Sequence, residues 1–325
     1  SVVGQKRRSL PKVNFESLGT HTAVDRWRIV DALGYPRNAL DPYNTNNPLK
    51  ADKPIAGSKD WFFDLGIISD SLFESRYIPV PVGVATTNNA DSLDALGNGE
   101  QTFFNQNIEF EFVLYKGDSI YRPPDFEFRF IPVINYNSLS VAEVGIVNVD
   151  PTEGTTRKES FVGIQGLFAD FHLRDASVRY DFDSIRFGVQ PFTADFRGFL
   201  FLDRPVGVRL FGSRNNNIFQ YNLAWFKRFD KDINSGLNDI SELRDDDIFV
   251  GSLYCQDMPS KGFTSQFIFL HNRNTEGDAV KYDKNGFIQR PASWFEERAG
   301  RDDDVPCLGY NGECHFGRTS WGACF

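Results

Sequence analysis

The stretch from Phe103 to Tyr115 alternates between apolar and polar side chains at every second residue. A β-strand turns successive side chains to opposite faces, so this stretch predicts a strand with one apolar face and one charged face. Such a strand suits a soluble β-sandwich. It equally suits a barrel in a lipid bilayer, which is apolar outside and polar inside.

The alternation recurs along the chain in segments of about ten residues, the length with which a tilted strand crosses the hydrocarbon layer. Predicted strands are 61–69, 72–80, 103–116, 125–136, 163–173, 184–192, 197–203, 206–213, 217–229, 248–257 and 263–272. The pattern therefore predicts an all-β fold, an antiparallel meander that forms a transmembrane β-barrel.

The predicted connections differ in length and in polarity. Residues 116–124 and 213–217 form short connections, whereas 137–162, 229–247 and 273–304 form long, polar and acidic ones. Short turns at one end of the strands and long loops at the other are typical of outer-membrane barrels. The acidic runs 245–247 and 302–304 are expected in these loops as solvated surface.

Composition excludes several other functions. A net charge of −9 over 325 residues argues against a nucleic-acid partner, because phosphate binding needs a basic face. The sequence contains no GxSxG, HExxH or P-loop motif, and its four His are scattered. We therefore expect no enzyme, no catalytic residue and no cofactor.

The cysteines do not predict a metal site. Three of the four lie close to the end of the chain and none forms a CxxC pair, so their spacing matches no zinc pattern. Disulfides and unpaired thiols both stay open. The four are Cys255, Cys307, Cys314 and Cys324.

Three phrases in the sequence resemble a known family. They are 41–44 (DPYN) with 49–55 (LKADKPI), 79–83 (PVPVG), and 180–192 (YDFDSIRFGVQPF) continuing to 195–199 (DFRGF). Together they resemble a family of uncharacterised Gram-negative outer-membrane β-barrel proteins, which are porin-like and similar to TonB-dependent transporters. The resemblance covers roughly residues 27 to 312. It implies a large antiparallel barrel in the outer membrane of a Gram-negative bacterium, and it carries over no catalytic residues.

Members of that family are longer, with more strands after the region that matches Leu308 to Gly312. The chain is therefore expected to be an N-terminal portion, and residues 313–325 are not expected to form the next strand. Eleven predicted strands is an odd number, whereas single-chain bacterial barrels use even numbers. We accordingly expect the barrel to be incomplete in this chain.

Two regions are predicted. Residues 1–58 have little strand signal and form an N-terminal periplasmic or plug-like segment, either inside the lumen or in contact with a periplasmic or energy-coupling protein. Residues 59–325 form the barrel strands with long polar loops. Outer-membrane lipid and small solutes are the other expected partners.

The polar faces of the strands predict the lining of the lumen. Mixed carboxylates and guanidinium groups there would set a field that selects among solutes. The predicted lining residues are Asn105, Asn107, Glu109, Glu111, Glu127, Arg129, Arg186, Gln190, Gln220 and Asn222.

The sequence thus predicts a porin-like channel or transporter that passes small solutes. The main alternative is a soluble extracytoplasmic β-sandwich that binds carbohydrate or a protein partner, and an all-β hydrolase using Glu109 and Glu111 is a third. The first two make opposite predictions for Ile108 and Phe219. A barrel turns both side chains outward into lipid, whereas a sandwich buries both against a second sheet.

Overall fold

The fold is known from a computed structural model. The structure describes residues 33–34, 54–55, 58, 60–78, 98–117, 123–179, 181–231, 237–290, 302–316 and 319–324. The predicted N-terminal segment 1–58 therefore lies almost entirely outside the described residues.

Strands dominate the described part of the chain. Eleven of them form one sheet: β1 (Trp61–Tyr77), β2 (Glu100–Lys116), β3 (Phe126–Val141), β4 (Thr156–Asp175), β5 (Phe182–Val189), β8 (Val206–Arg214), β9 (Phe219–Lys231), β10 (Asn238–Gln256), β11 (Phe263–Asn274), β14 (Asp303–Phe316) and β15 (Thr319–Cys324). Two small hairpins are β6 (Phe192–Thr193) with β7 (Leu202–Asp203), and β12 (Lys281–Tyr282) with β13 (Ile288–Arg290). A 3₁₀ turn spans Pro151–Glu153.

Each strand of the large sheet pairs antiparallel with the next one along the chain, apart from the inserted hairpins. The predicted all-β antiparallel meander is confirmed. β1 and β15 stand at the two edges of the sheet, and the described residues contain no ladder between them. Among the described residues no helix combines the length and the apolar character needed to span a membrane.

One face of the sheet is apolar from β1 to β14, and we call it the apolar face. The register aligns Leu65 with Phe112 and Phe130 with Leu167, and on the later strands it aligns Phe269 with Leu308. Many of its side chains are exposed, from Leu167 at 37% to Leu308 at 84%. Other exposed members are Ile67, Ile134, Phe187, Leu223, Trp225, Phe249, Phe267 and Phe269.

Ile108 and Phe219 both belong to the apolar face. Ile108 pairs with Ser69 and Ile134, and Phe219 pairs with Arg214 and Cys255. Both side chains are half-buried among their neighbours within the sheet. In the described part of the chain the other two sheets have only two strands each. The second layer that a sandwich needs is therefore not found among these residues.

The opposite face, which we call the mixed face, carries ionic and amide groups on β2–β8 and an apolar cluster on β9–β11. Residues 190–205, which contain the hairpin β6–β7, lie over this cluster and are here called the covering segment. Phe192 packs against Phe226 with ring centroids 4.9 Å apart, and Gln266 Nε2 donates to the Ala194 carbonyl at 2.8 Å. The buried members of the cluster are Phe192, Ala194, Phe201, Phe226, Ile248, Val250 and Leu270.

The connections separate by length at the two ends of the sheet. At one end lie the short connections 117–125, 176–181, 215–218, 257–262 and 317–318. At the other lie 78–99, 142–155, 190–205, 232–237 and 275–302, and most of these are longer. The connections follow the predicted separation of short turns from long loops except at 232–237, which is shorter than 117–125.

The sheet is not flat at the end with the longer connections. β4 and β10 are separated by β5, β8 and β9, which in a flat sheet corresponds to about 19 Å. Asn238 Nδ2 nevertheless donates to the Val162 carbonyl at 3.2 Å, and Asn285 Nδ2 donates to Glu159 Oε1 at 2.7 Å. The first contact joins β10 to β4, and the second joins the connection 275–302 to β4, both beyond the ends of the short strands β5 and β8.

Several predicted boundaries are wrong. Segments 61–69 and 72–80 were predicted as two strands, but β1 runs without interruption through Ser69 and Ser71, whose hydroxyl groups bond Gln106 on β2. Segment 197–203 is not a strand beyond Leu202–Asp203. There the Asp195 carboxylate accepts the backbone N–H groups of Phe199 and Leu200, both at 3.1 Å, and holds a turn.

The predicted long loops 137–162 and 229–247 are also shorter than expected, because the strands on both sides extend into them. The acidic run 245–247 lies entirely in β10, where buried Asp246 pairs with Arg228, and 303–304 lie in β14. Residues 313–325, which were not expected to form a strand, contribute to β14 and supply β15. Hydropathy alone does not predict strands in these polar stretches. They enter the sheet because their carboxylates are paired.

Candidate functional site

The predicted lining residues share the mixed face, as their alternation requires. The register places Asn105 opposite Asn137, Asn107 opposite Asn135, and Glu127 opposite Asp170. Asn222 lies between Phe211 and Ser252, and Gln220 lies between Ser213 and Tyr254. Gln190 is the exception: it follows the end of β5.

A group of amides occupies β2 and β3. Asn135 Nδ2 donates to Asn105 Oδ1 and to Asn107 Oδ1, both at 2.7 Å, and its own oxygen accepts from Asn137 at 2.9 Å. These side chains are half-buried and satisfy one another across the strands. The Oδ1 atom of Asn137 is buried and has no hydrogen-bond partner among the described residues, so the pairing of the amides is incomplete there.

An ionic group continues the face toward the short connections. Arg129 bonds Glu111 at 2.8 Å and Glu127 at 2.9 Å, and all three side chains retain some exposure. Glu109 lies opposite Val133 on the same face, half-buried, with no hydrogen bond or ion pair among the described residues. Its carboxylate is therefore a local negative charge that no arginine neutralises within that part of the chain.

A second ionic group lies on β4, β5 and β8. Arg186 bonds Asp170 through Nε at 2.9 Å and Nη2 at 2.7 Å, and its guanidinium lies 4.2 Å from the Phe168 ring centroid. Arg209 lies directly opposite Arg186, and its Nε donates to Asn222 Oδ1 at 2.8 Å. The mixed face thus places arginines on aromatic rings beside carboxylates.

Gln190 is placed differently from the prediction. Its side chain is fully buried, and Nε2 lies 3.4 Å from the carbonyls of Gly188 and Gly207. Its backbone N–H donates to the Pro205 carbonyl at 3.0 Å, which fixes the start of the covering segment to its end. Gln190 therefore anchors this segment and does not line an open surface.

A further charged cluster lies at the end with the longer connections, around a cavity of about 540 Å³. Lys281 bonds Asp230 at 3.1 Å and Glu242 at 2.6 Å, and these bonds raise the pKa of Lys281. Glu276 accepts from Arg244 at 2.6 Å. Burial alone would raise the pKa of Glu276, but the hydrogen bonds from Arg244 and Asn274 outweigh burial and lower it.

These pairs attach the connection 275–302 to β9 and β10. Arg290 also bonds Asp230 and lies 3.4 Å from Glu276. Because nearly every charge has a partner, the cluster acts as a structural clamp. In the described residues, no three His, Cys, Asp or Glu side chains are placed to hold a metal ion.

Sequence reasoning missed several residues of the mixed face: Asn135, Asn137, Phe168, Asp170, Arg209 and Phe211. Asn135 and Asn137 alternate with Ile134 and Tyr136: Asn135 lies within the predicted strand 125–136, and extending that strand by one residue would have found Asn137. Arg209 is the polar residue in the alternating stretch Val206-Gly207-Val208-Arg209-Leu210, and this position indicates a place on the polar face of the strand. The pairing of Arg209 with Arg186 needed the register and was not accessible from the sequence.

No protein-family model matches the chain, and no curated protein matches it.

Proposed function

We propose that this protein is a β-barrel channel or transporter of the Gram-negative outer membrane that passes small solutes along its mixed face. The observation that carries the proposal is the apolar face. Large apolar side chains remain exposed on strands from β1 to β14 of an eleven-stranded meander, with Leu223 at 56% and Leu308 at 84%. Water disfavours an apolar surface of this extent, whereas lipid accepts it.

The mixed face supports the same proposal from the other side of the sheet. Its amide and ionic groups hold water, and their fixed charges bias which solutes pass. The covering segment occupies part of this face, so it narrows the route that a solute would follow. Outer-membrane lipid and small solutes are the proposed partners, and residues 1–58 are the proposed contact for a periplasmic or energy-coupling protein.

Conductance of the purified full-length protein in a planar lipid bilayer tests the proposal. We expect stepwise single-channel currents and a measurable reversal potential in a tenfold KCl gradient. In Glu109→Gln we expect the reversal potential to shift toward anion selectivity, because the change removes a carboxylate that has no partner among the described residues. Glu153→Gln is the matched control, since Glu153 is exposed in the connection 142–155.

The control is expected to match the wild type in both conductance and reversal potential. An absence of currents above those of the empty bilayer, with protein that is demonstrably inserted, would overturn the channel proposal. A reversal potential that moves equally in Glu109→Gln and Glu153→Gln would remove Glu109 from the proposed lining.

A further inference from the structure

Two arginines face each other on neighbouring strands of the mixed face. Arg186 on β5 and Arg209 on β8 are direct partners in the register. Like charges at directly opposed positions destabilise a sheet unless another group compensates them. Asp170 compensates Arg186 through two hydrogen bonds, at 2.9 Å and 2.7 Å.

Arg209 has no such carboxylate. Among the described residues its only hydrogen bond runs from Nε to Asn222 Oδ1, so both terminal Nη groups are without a hydrogen-bond partner there. The side chain is half-buried, and its guanidinium lies 4.6 Å from the Phe211 ring centroid and 5.2 Å from that of Phe192. Stacking on rings orients the planar group and leaves the N–H donors in its plane available.

Arg209 lies between charged side chains and apolar side chains. On one side lie Arg186 and Asp170. On the other side Phe192 belongs to the apolar cluster under the covering segment, and Ala224, the next cross-strand partner of Arg209, packs against that cluster. Because Phe192 and the rest of this cluster are buried, the apolar surface that a ligand at Arg209 can reach is the half-buried ring of Phe211.

We propose that Arg209, together with Arg186, forms a binding subsite for a small organic carboxylate with an apolar body. The carboxylate accepts hydrogen bonds from the unpartnered Nη groups of Arg209 in the planar geometry that guanidinium and carboxylate share. The apolar body packs beside the half-buried ring of Phe211. This subsite rests on the proposed channel function, because a solute must reach the mixed face to occupy it.

Equilibrium binding of benzoate to the detergent-solubilised full-length protein tests the subsite. We expect saturable binding of benzoate, weaker binding of inorganic phosphate because it lacks the apolar body, and no binding of neutral benzamide. In Arg209→Gln we expect benzoate affinity to fall roughly tenfold or more, since a charge-assisted hydrogen bond is lost. Arg209→Lys keeps the charge without the planar fork, so we expect an intermediate loss.

Arg197→Gln is the matched control. Arg197 is an exposed arginine of the covering segment whose carboxylate partner, Glu313, is 3.9 Å away, and benzoate affinity is expected to stay unchanged there. Equal binding of benzamide and benzoate, or equal affinity in Arg209→Gln and the wild type, would overturn the subsite. Because binding is measured without a bilayer, a protein that conducts but does not bind benzoate refutes only this inference. A protein that binds benzoate through Arg209 but carries no current refutes only the channel.

Discussion

At the residue scale, Asp181 joins two turns that are distant in sequence. Its carboxylate accepts the backbone N–H groups of Asn216 and Asn217, both at 3.0 Å, and the Ser177 hydroxyl at 2.8 Å. Asn216 and Asn217 have positive φ angles of 58° and 64°, a left-handed backbone that asparagine tolerates better than most residues. One buried carboxylate thereby fixes the connection 215–218 against the connection 176–181.

These hydrogen bonds make stability depend on pH. The backbone N–H groups of Asn216 and Asn217 lower the pKa of Asp181 below its ordinary value of 3.8. Because the folded pKa lies below the unfolded one, the stabilisation is fully present above pH 3.8 and is lost as the pH falls through the folded value. Asp181→Asn should therefore unfold at a lower temperature than the wild type at pH 7, and this difference should shrink below pH 3.8.

Thermal unfolding followed by the mobility of unheated and heated protein on gels measures this effect. Asp70→Asn serves as the control, since Asp70 is exposed on β1 and has no hydrogen bond among the described residues. A difference between Asp181→Asn and the wild type that persists unchanged at low pH would argue against the carboxylate as the cause.

At the element scale, the covering segment stands out because it places an apolar core on a face that is polar elsewhere. Phe226 is fully buried beneath Phe192 and Phe201, at centroid distances of 4.9 Å and 6.4 Å. The segment is therefore held by packing against the sheet, in addition to the hydrogen bond from Gln266.

Truncation of Phe226 should weaken this packing strongly. We expect Phe226→Ala to lower the free energy of unfolding by about 3–5 kcal/mol, the usual cost of a large cavity in a packed core. Leu308→Ala on the apolar face is the matched control, with an expected change within about 0.5 kcal/mol because Leu308 is 84% exposed. Urea unfolding in the same detergent compares the two variants, and equal losses would mean that the covering segment is not packed as described.

The elements also show what the sequence could and could not predict. Alternation around Phe112 and Phe130 correctly predicted the strands and their two faces, because side-chain period is a local property. It failed at Ser69–Ser71, where a polar stretch resembles a turn but continues as a strand through cross-strand hydrogen bonds. The position of Phe192 over Phe226 depends on how the covering segment returns across the sheet, and no local pattern encodes such a return.

At the scale of the whole molecule, the two faces of the sheet favour different surroundings, one apolar and one aqueous. The apolar face exposes residues such as Phe267 and Phe269, while the mixed face carries carboxylates, guanidinium groups and amides, most of which are paired. The sheet bends until Asn238 on β10 reaches Val162 on β4. A bilayer around the apolar face with water along the mixed face provides both surroundings.

The most direct test is the quenching of a fluorescent label by brominated acyl chains, with the protein reconstituted in a bilayer. The label is attached to a single cysteine at Phe110 or at Glu109, in a variant without the four native cysteines. These neighbours on β2 are both half-buried but belong to opposite faces. We predict strong quenching for Phe110→Cys and little for Glu109→Cys. Equal quenching at both positions, or none at Phe110→Cys, would contradict the claim that the apolar face meets lipid.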